Sequence, residues 1–232
     1  MTHGTAGLLL LADGRLPAGG YAHSAGLESA IRTGRVSDIG DLQEFLTGRV
    51  TTTGAMNASF AASACAAVGQ SDRLEGQHQV LERLSTLDAE LDARTPSPAL
   101  RRVSRTLGRQ LLRALEAVNP HPLLQQLPRW INHPVIFGAG AATLGLAPVD
   151  AARGLLHETV SGPASAVVKL MSADPFDAYR VIAGMRDLLD AEAERAASRS
   201  LDHPQDLPAF GAPLSDLMAE VHETQEVRLF AS

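Results

Sequence analysis

The sequence predicts an all-α protein: a single globular bundle of about ten helices. Three observations carry this expectation. Alanine and leucine, both strong helix formers, dominate the apolar residues, while aromatics make up only 4% of the chain. β-branched runs are almost absent, so no segment alternates as a strand would. Apolar residues instead recur at helical spacing between turn signals, most clearly over Ala99–Val118, where Leu100, Val103, Leu107, Leu111, Ala114, Leu115 and Val118 share one face.

The elements follow in order. A short helix over Thr5–Ala12 ends at Asp13-Gly14, and Arg15-Leu16-Pro17-Ala18-Gly19-Gly20-Tyr21 reads as turn chemistry before helix resumes over Ala22–Arg32. Ser37-Asp38 offers an N-cap to a helix with Ile39, Leu42, Phe45, Leu46 and Val50 on one face. A small-residue helix runs from about Gly54 to Val68, and another from about Ser71 to Leu91 is broken by Thr95-Pro96-Ser97-Pro98. After the Ala99–Val118 helix, Asn132-His133-Pro134 reads as a cap with proline in the first turn, opening a helix that Gly145 closes. Pro148 opens a long helix, in which Gly162-Pro163 predicts a kink or a split, because proline lacks the backbone donor and crowds the preceding turn. Asp174-Pro175 caps one helix to about Ser198; Leu201–Pro213, with three prolines, reads as a surface connection; and Leu214–Glu223 is a last short helix. The expected division is a helical domain over 1–200 and, over 201–232, the connection, the short helix and a partner-binding tail.

Composition bounds the function. A chain of 232 residues can bury a large core without a disulfide or metal. The net charge of −6 argues against a nucleic-acid partner, which would require a basic surface. Leu8–Leu11 is far too short to span a bilayer and lacks the flanks of a signal peptide, so a cytosolic protein with no membrane partner is expected. The single cysteine, Cys65, sits in an alanine-rich helix and reads as a small buried hydrophobe.

Catalytic spacing is missing. None of the eight histidines pairs at i, i+4, and there is no nucleophile elbow, phosphate-binding loop or dinucleotide fingerprint. Gly138-Ala139-Gly140 reads as close helix packing. No cofactor is expected. The enzyme alternative is a metal-dependent site built from distant groups such as His133, His157 and Glu158. A row of arginines on the Ala99–Val118 helix (Arg101, Arg105, Arg109 and Arg113, four apart) reads as a solvated face or as a surface for an acidic partner; a nucleic-acid regulator is the weaker use of it.

Two segments point to binding instead. Leu16–Glu28 is a glycine turn presenting Tyr21, His23, Ser24 and Glu28. The tail, Val227-Arg228-Leu229-Phe230-Ala231-Ser232, is apolar almost to its end, and burying Leu229 and Phe230 is worth about 3–5 kcal/mol. Docking of the tail on the body and docking on a partner are both compatible with the pattern.

At these segments the sequence resembles the UreF family of urease accessory proteins. Leu16-Pro17-Ala18-Gly19-Gly20-Tyr21-Ala22-His23-Ser24-Ala25-Gly26-Leu27-Glu28 matches the family's proline–glycine–aromatic block. Leu100–Leu115, with Ser104, Gly108, Arg109 and Leu112, is similar to its central helix; His133–Lys169, with Phe137-Gly138 and Leu144-Gly145-Leu146, to the following helix pair; and Asp216–Ser232, with His222-Glu223 and Arg228-Leu229-Phe230-Ala231-Ser232, to its C-terminal signature. Met171-Ser172-Ala173-Asp174-Pro175 departs from the family's usual run after the residue matching Lys169, and about 69–95 matches nothing. The resemblance implies a non-enzymatic scaffold that forms a homodimer. It implies that the tail binds the urease accessory protein of the D/H type, and that the pair recruits a nickel-carrying, UreG-like accessory GTPase and docks on apo-urease. The partner-binding residues so implied are Tyr21, His23, Ser24, Glu28, Lys169, His222, Arg228, Leu229, Phe230 and Ser232.

Overall fold

A computed structural model describes residues 4–19, 23–70, 76–223 and 229. Among these residues no strand forms, and the helices are α1 (Gly4–Leu11), α2 (Leu27–Arg32), α3 (Ile39–Arg49), α4 (Ala55–Gly69), α5 (Gln77–Ala93), α6 (Pro98–Val118), α7 (Pro122–Gln126), α8 (His133–Thr143), α9 (Pro148–Leu170), α10 (Pro175–Gly184), α11 (Arg186–Ser198) and α12 (Pro213–Glu223). The bundle is all-α, as the composition and periodicity predict.

The architecture follows from where large side chains are missing. The alanine- and serine-rich α4 is buried on every side and runs through the centre, packed chiefly on α8, α9, α11 and α5. Gly138 of α8 lies so close to α4 that a Cβ there would stand 2.0 Å from the Ala61 carbonyl oxygen; only glycine permits that approach. Around this axis the core divides in two. One part gathers Phe60, Leu84, Leu87, Leu111, Leu112 and Phe137 from α4, α5, α6 and α8; the other gathers Leu42, Leu46, Leu156, Val160 and Ala178 from α3, α9 and α10. Each fully buried leucine contributes about 1.5–3 kcal/mol. Cys65 lies in the first part; its thiol faces the Leu146 carbonyl oxygen at 3.4 Å and burial pushes its pKa up to about 12, so it is an inert core residue.

Caps account for many of the boundaries. Asp38 accepts from the Asp41 N–H, Ser97 from Leu100 N–H, and Asp174 from Phe176 N–H. Gly145, at φ +76°, ends α8. Four expectations require correction. Asn132 occupies the N-cap position of α8, but its side chain bonds Asp88 and Asp92 of α5 at 2.9 and 3.0 Å instead of capping. α9 runs unbroken through Pro163, because the ring is accepted within the buried face of the helix, whose bonding continues on both sides. The expected single helix from Pro175 to Ser198 is two: Gly184 ends α10, and Met185 (φ −90°, ψ 0°) turns the chain into α11. The helix expected over Ala22–Arg32 begins only at Leu27, because Ala25 and Gly26 turn left-handed (φ +53° and +88°) ahead of it. α5 is described from Gln77, and the expected start at Ser71 and the apolar Leu74 lie outside the described residues.

The proline-rich stretch after α11 is strapped down. Arg94 donates to the carbonyl oxygens of Gln205 (2.8 Å), Pro204 (3.4 Å) and Leu207 (3.5 Å), and Arg83 donates to that of Asp202 (2.7 Å). Leu207 is buried in the first core. α12 therefore starts from a fixed point and packs on α6 and α2.

Candidate functional site

The two segments that sequence patterning singles out meet in space. Glu28, in the first turn of α2, receives a hydrogen bond on Oε1 from the Leu229 N–H at 2.9 Å, and its Oε2 lies 3.4 Å from His222 Nε2. His222 is 2% exposed and Glu28 largely buried, so the pair is shielded from solvent. Ser24 is fully buried and its Oγ accepts from the Glu28 N–H at 3.4 Å. The main chain is set by Gly19 (φ +84°), Ala25 (φ +53°) and Gly26 (φ +88°); Gly19 lies against Gln110 of α6, where a Cβ would stand 1.7 Å from Oε1. At Leu229 the backbone thus meets the body, while the residue remains 72% exposed.

The remaining candidates spread from this junction. The His23 carbonyl passes over Gly162 of α9, 3.7 Å from where a Cβ would be. Lys169 is exposed seven residues further on, on the same face of α9 and about 10 Å along its axis. Structure thus joins Ser24, Glu28, His222 and Leu229, sets His23 beside them, and puts Lys169 two turns away. Tyr21, Arg228, Phe230 and Ser232 lie outside the described residues.

Sequence reasoning missed the outer face of α12. Leu214, Leu217 and Val221, spaced i, i+3, i+7, are 47%, 65% and 56% exposed. The helix's acidic residues point the other way: Glu220 accepts from the Ser97 hydroxyl and from the Ala99 N–H (2.9 Å), and Glu223 pairs with Arg102. The spacing was present in Leu214–Glu223, but only the inward acidic bonds reveal which face is turned out.

The arginine row has a different fate. Arg101 donates to the Thr95 and Pro96 carbonyl oxygens, 2.5 and 3.0 Å away. Arg105 pairs with Asp88 (3.2 Å) and Asp92 and donates to the Trp130 carbonyl oxygen. Arg109 stacks 4.5 Å over the Trp130 ring. Among the described residues, Arg113 is exposed and pairs with none. For the metal alternative, His133 Nε2 lies 3.6 Å from Glu158 Oε2, but His157 is exposed on another face, and among the described residues no three His, Cys, Asp or Glu side chains gather to hold a metal. No helix among them is long and apolar enough to cross a membrane.

Comparison with known proteins decides the family. The UreF family model matches residues 36–186. The urease accessory proteins UreF of Mycobacterium sp. (strain JLS) and Mycolicibacterium vanbaalenii are 37% and 36% identical to this chain, over 97% of both sequences in each case. That of Mycobacterium tuberculosis (strain H37Rv) is 34% identical over 97% of both. The chain belongs to the UreF family. The relatives are named as accessory proteins of urease. The matched UreF region stops short of both the glycine loop and the tail, and the Glu28 junction rests on geometry.

Proposed function

We propose that this chain is a cytoplasmic scaffold for urease maturation: a homodimer whose C-terminal region binds the D/H-type accessory protein, and whose glycine loop and Lys169 recruit the accessory GTPase and bear on its GTP hydrolysis, so that nickel is delivered to apo-urease. The observation that carries the reading is the Glu28 junction beside α12: a buried polar anchor at the exposed Leu229, with His222 on the helix that also shows Leu214, Leu217 and Val221 to solvent. Large apolar side chains gathered on one helix face mark a surface that gains by being covered, and polar anchoring beside it gives register. Membership of the UreF family supports the choice of partners.

Deleting Arg228–Ser232 tests this. The truncated chain should keep its helicity by circular dichroism and lose capture of the D/H-type partner by about 100-fold or more, the scale of removing a central anchor. Tyr21→Ala and Lys169→Ala should weaken recruitment of the GTPase and leave dimerisation, judged by sizing, intact. Undiminished capture by the truncated chain would remove the tail from the reading.

A further inference from the structure

Arg49, the last residue of α3, reaches across 24 positions of sequence to donate from Nη1 to the Ala25 carbonyl oxygen at 2.8 Å. Its guanidinium lies 5.9 Å over the Phe45 ring. Among the described residues the cation has no carboxylate: Nε is sealed from solvent with no acceptor, and burial lowers its pKa to about 10. A largely buried cation of this kind is a poor stabiliser, and an apolar side chain of similar volume would serve packing as well or better.

What Arg49 does achieve is to fix one carbonyl in a demanding place. Ala25 is at φ +53° and Gly26 at φ +88°, two left-handed residues in succession just before α2. A side chain other than glycine holds such a conformation only where its surroundings over-determine it. Directly flanking this corner are Ser24, buried and bonded to the Glu28 N–H, and Glu28, which holds the Leu229 N–H and faces His222. The strand of contacts therefore runs from α3, through one carbonyl, to the anchor of the tail.

We infer that Arg49 is a positioning residue for the partner-binding corner: it locks the left-handed pair Ala25–Gly26 and so sets the direction in which α2 presents Glu28 to the tail. Its consequence for GTPase recruitment rests on the function proposed above; its hold on the loop does not.

The test uses the full chain with Arg49→Met, which keeps bulk against Phe45 and removes the donor, and with Arg49→Lys, which keeps a donor. Three quantities are read: thermal unfolding, amide hydrogen exchange across Ser24–Glu28 and at Leu229, and capture of the GTPase with the D/H-type partner present. Arg49→Met should leave the unfolding temperature unchanged or higher, speed exchange at those amides at least tenfold with the core helices unaffected, and lower GTPase capture at least tenfold. Arg49→Lys should recover more than half of both losses. Unchanged exchange at Ser24–Glu28 overturns the inference, as does a rise spread evenly over α4 and α8, which would make Arg49 an ordinary stabilising residue. If the unsubstituted chain captures no GTPase, the functional reading fails, and the exchange measurement still decides the role of Arg49.

Discussion

α6 and α12 pack against each other and are both amphipathic, yet they dispose of their two faces in opposite ways. α6 turns its leucines inward and its arginines outward, and then uses the arginines internally: Arg101 on the turn between α5 and α6, Arg102 on Glu223, Arg105 on Asp88 and Asp92, and Arg109 on Trp130. α12 turns its acidic residues inward, onto the start of α6, and shows Leu214, Leu217 and Val221 to solvent. A charged face is therefore no sign of a docking surface when neighbouring helices supply its counter-charges. An apolar face is such a sign when the helix spends its polar groups on the body.

The largest effect should come from making α12 obey the ordinary rule. Leu217→Glu with Val221→Glu places charge on the exposed stripe; folding stability should move by no more than about 0.5 kcal/mol per site, since both are surface positions. Affinity for the D/H-type partner should fall about 100-fold, read by titration calorimetry beside a thermal melt. Binding unchanged by the double substitution would take α12 out of the interface and leave the comparison with α6 without functional meaning.

A second, smaller effect separates the arginines of α6 from one another. Arg105→Ala strips the counter-charge from Asp88 and Asp92 and should cost about 1–3 kcal/mol in urea unfolding, whereas Arg113→Ala should stay within about 0.5 kcal/mol. Equal losses at the two positions would mean that the row is a solvated face after all.

The smallest effect is the pH response of the α6–α12 contact. The Ser97 hydroxyl and then the Ala99 N–H hold the Glu220 carboxyl below its ordinary value of 4.5. A depressed acid stabilises the fold above its unfolded pKa, so this contribution is present above 4.5 and is lost as pH falls through the lower folded value. Asp216, whose pKa is raised by burial and then by Glu220, acts in the opposite sense, so the informative quantity is a difference. Between about pH 5 and 3, the range where carboxylates titrate, Glu220→Gln should flatten the decline in stability expected of the unsubstituted chain. Coincident pH profiles would show that Glu220 does not hold α12 down.

Legibility followed the range of the interactions. The bounds of α6 fall within a residue of those read from its leucine pattern and the Thr95–Pro98 break before it, because both signals are local. The break at Met185 was carried by Gly184 alone, a weak signal inside an otherwise helical run. Asn132 carried the right residue type for a cap, but α5, some 40 residues away, offered its side chain stronger acceptors in Asp88 and Asp92. The site was legible only in halves. Nothing in spacing could say that Glu28 faces His222, 194 positions away, or that Arg49 holds Ala25; such pairings come from the fold. The glycine turn and the apolar tail nonetheless stood out one by one, since each is costly where it stands unless something meets it.

The strap of Arg94 and Arg83 on residues 202–207 has a consequence for competition. It fixes the base of α12, and only five residues separate Glu223 from Leu229, so the tail is tethered within reach of Glu28. Tethering of this kind sustains a local concentration on the order of millimolar. A tail peptide added from solution must match that figure before it displaces the chain's own, whereas a partner that grips the tail and the α12 stripe together draws on a larger surface and has no such threshold to meet.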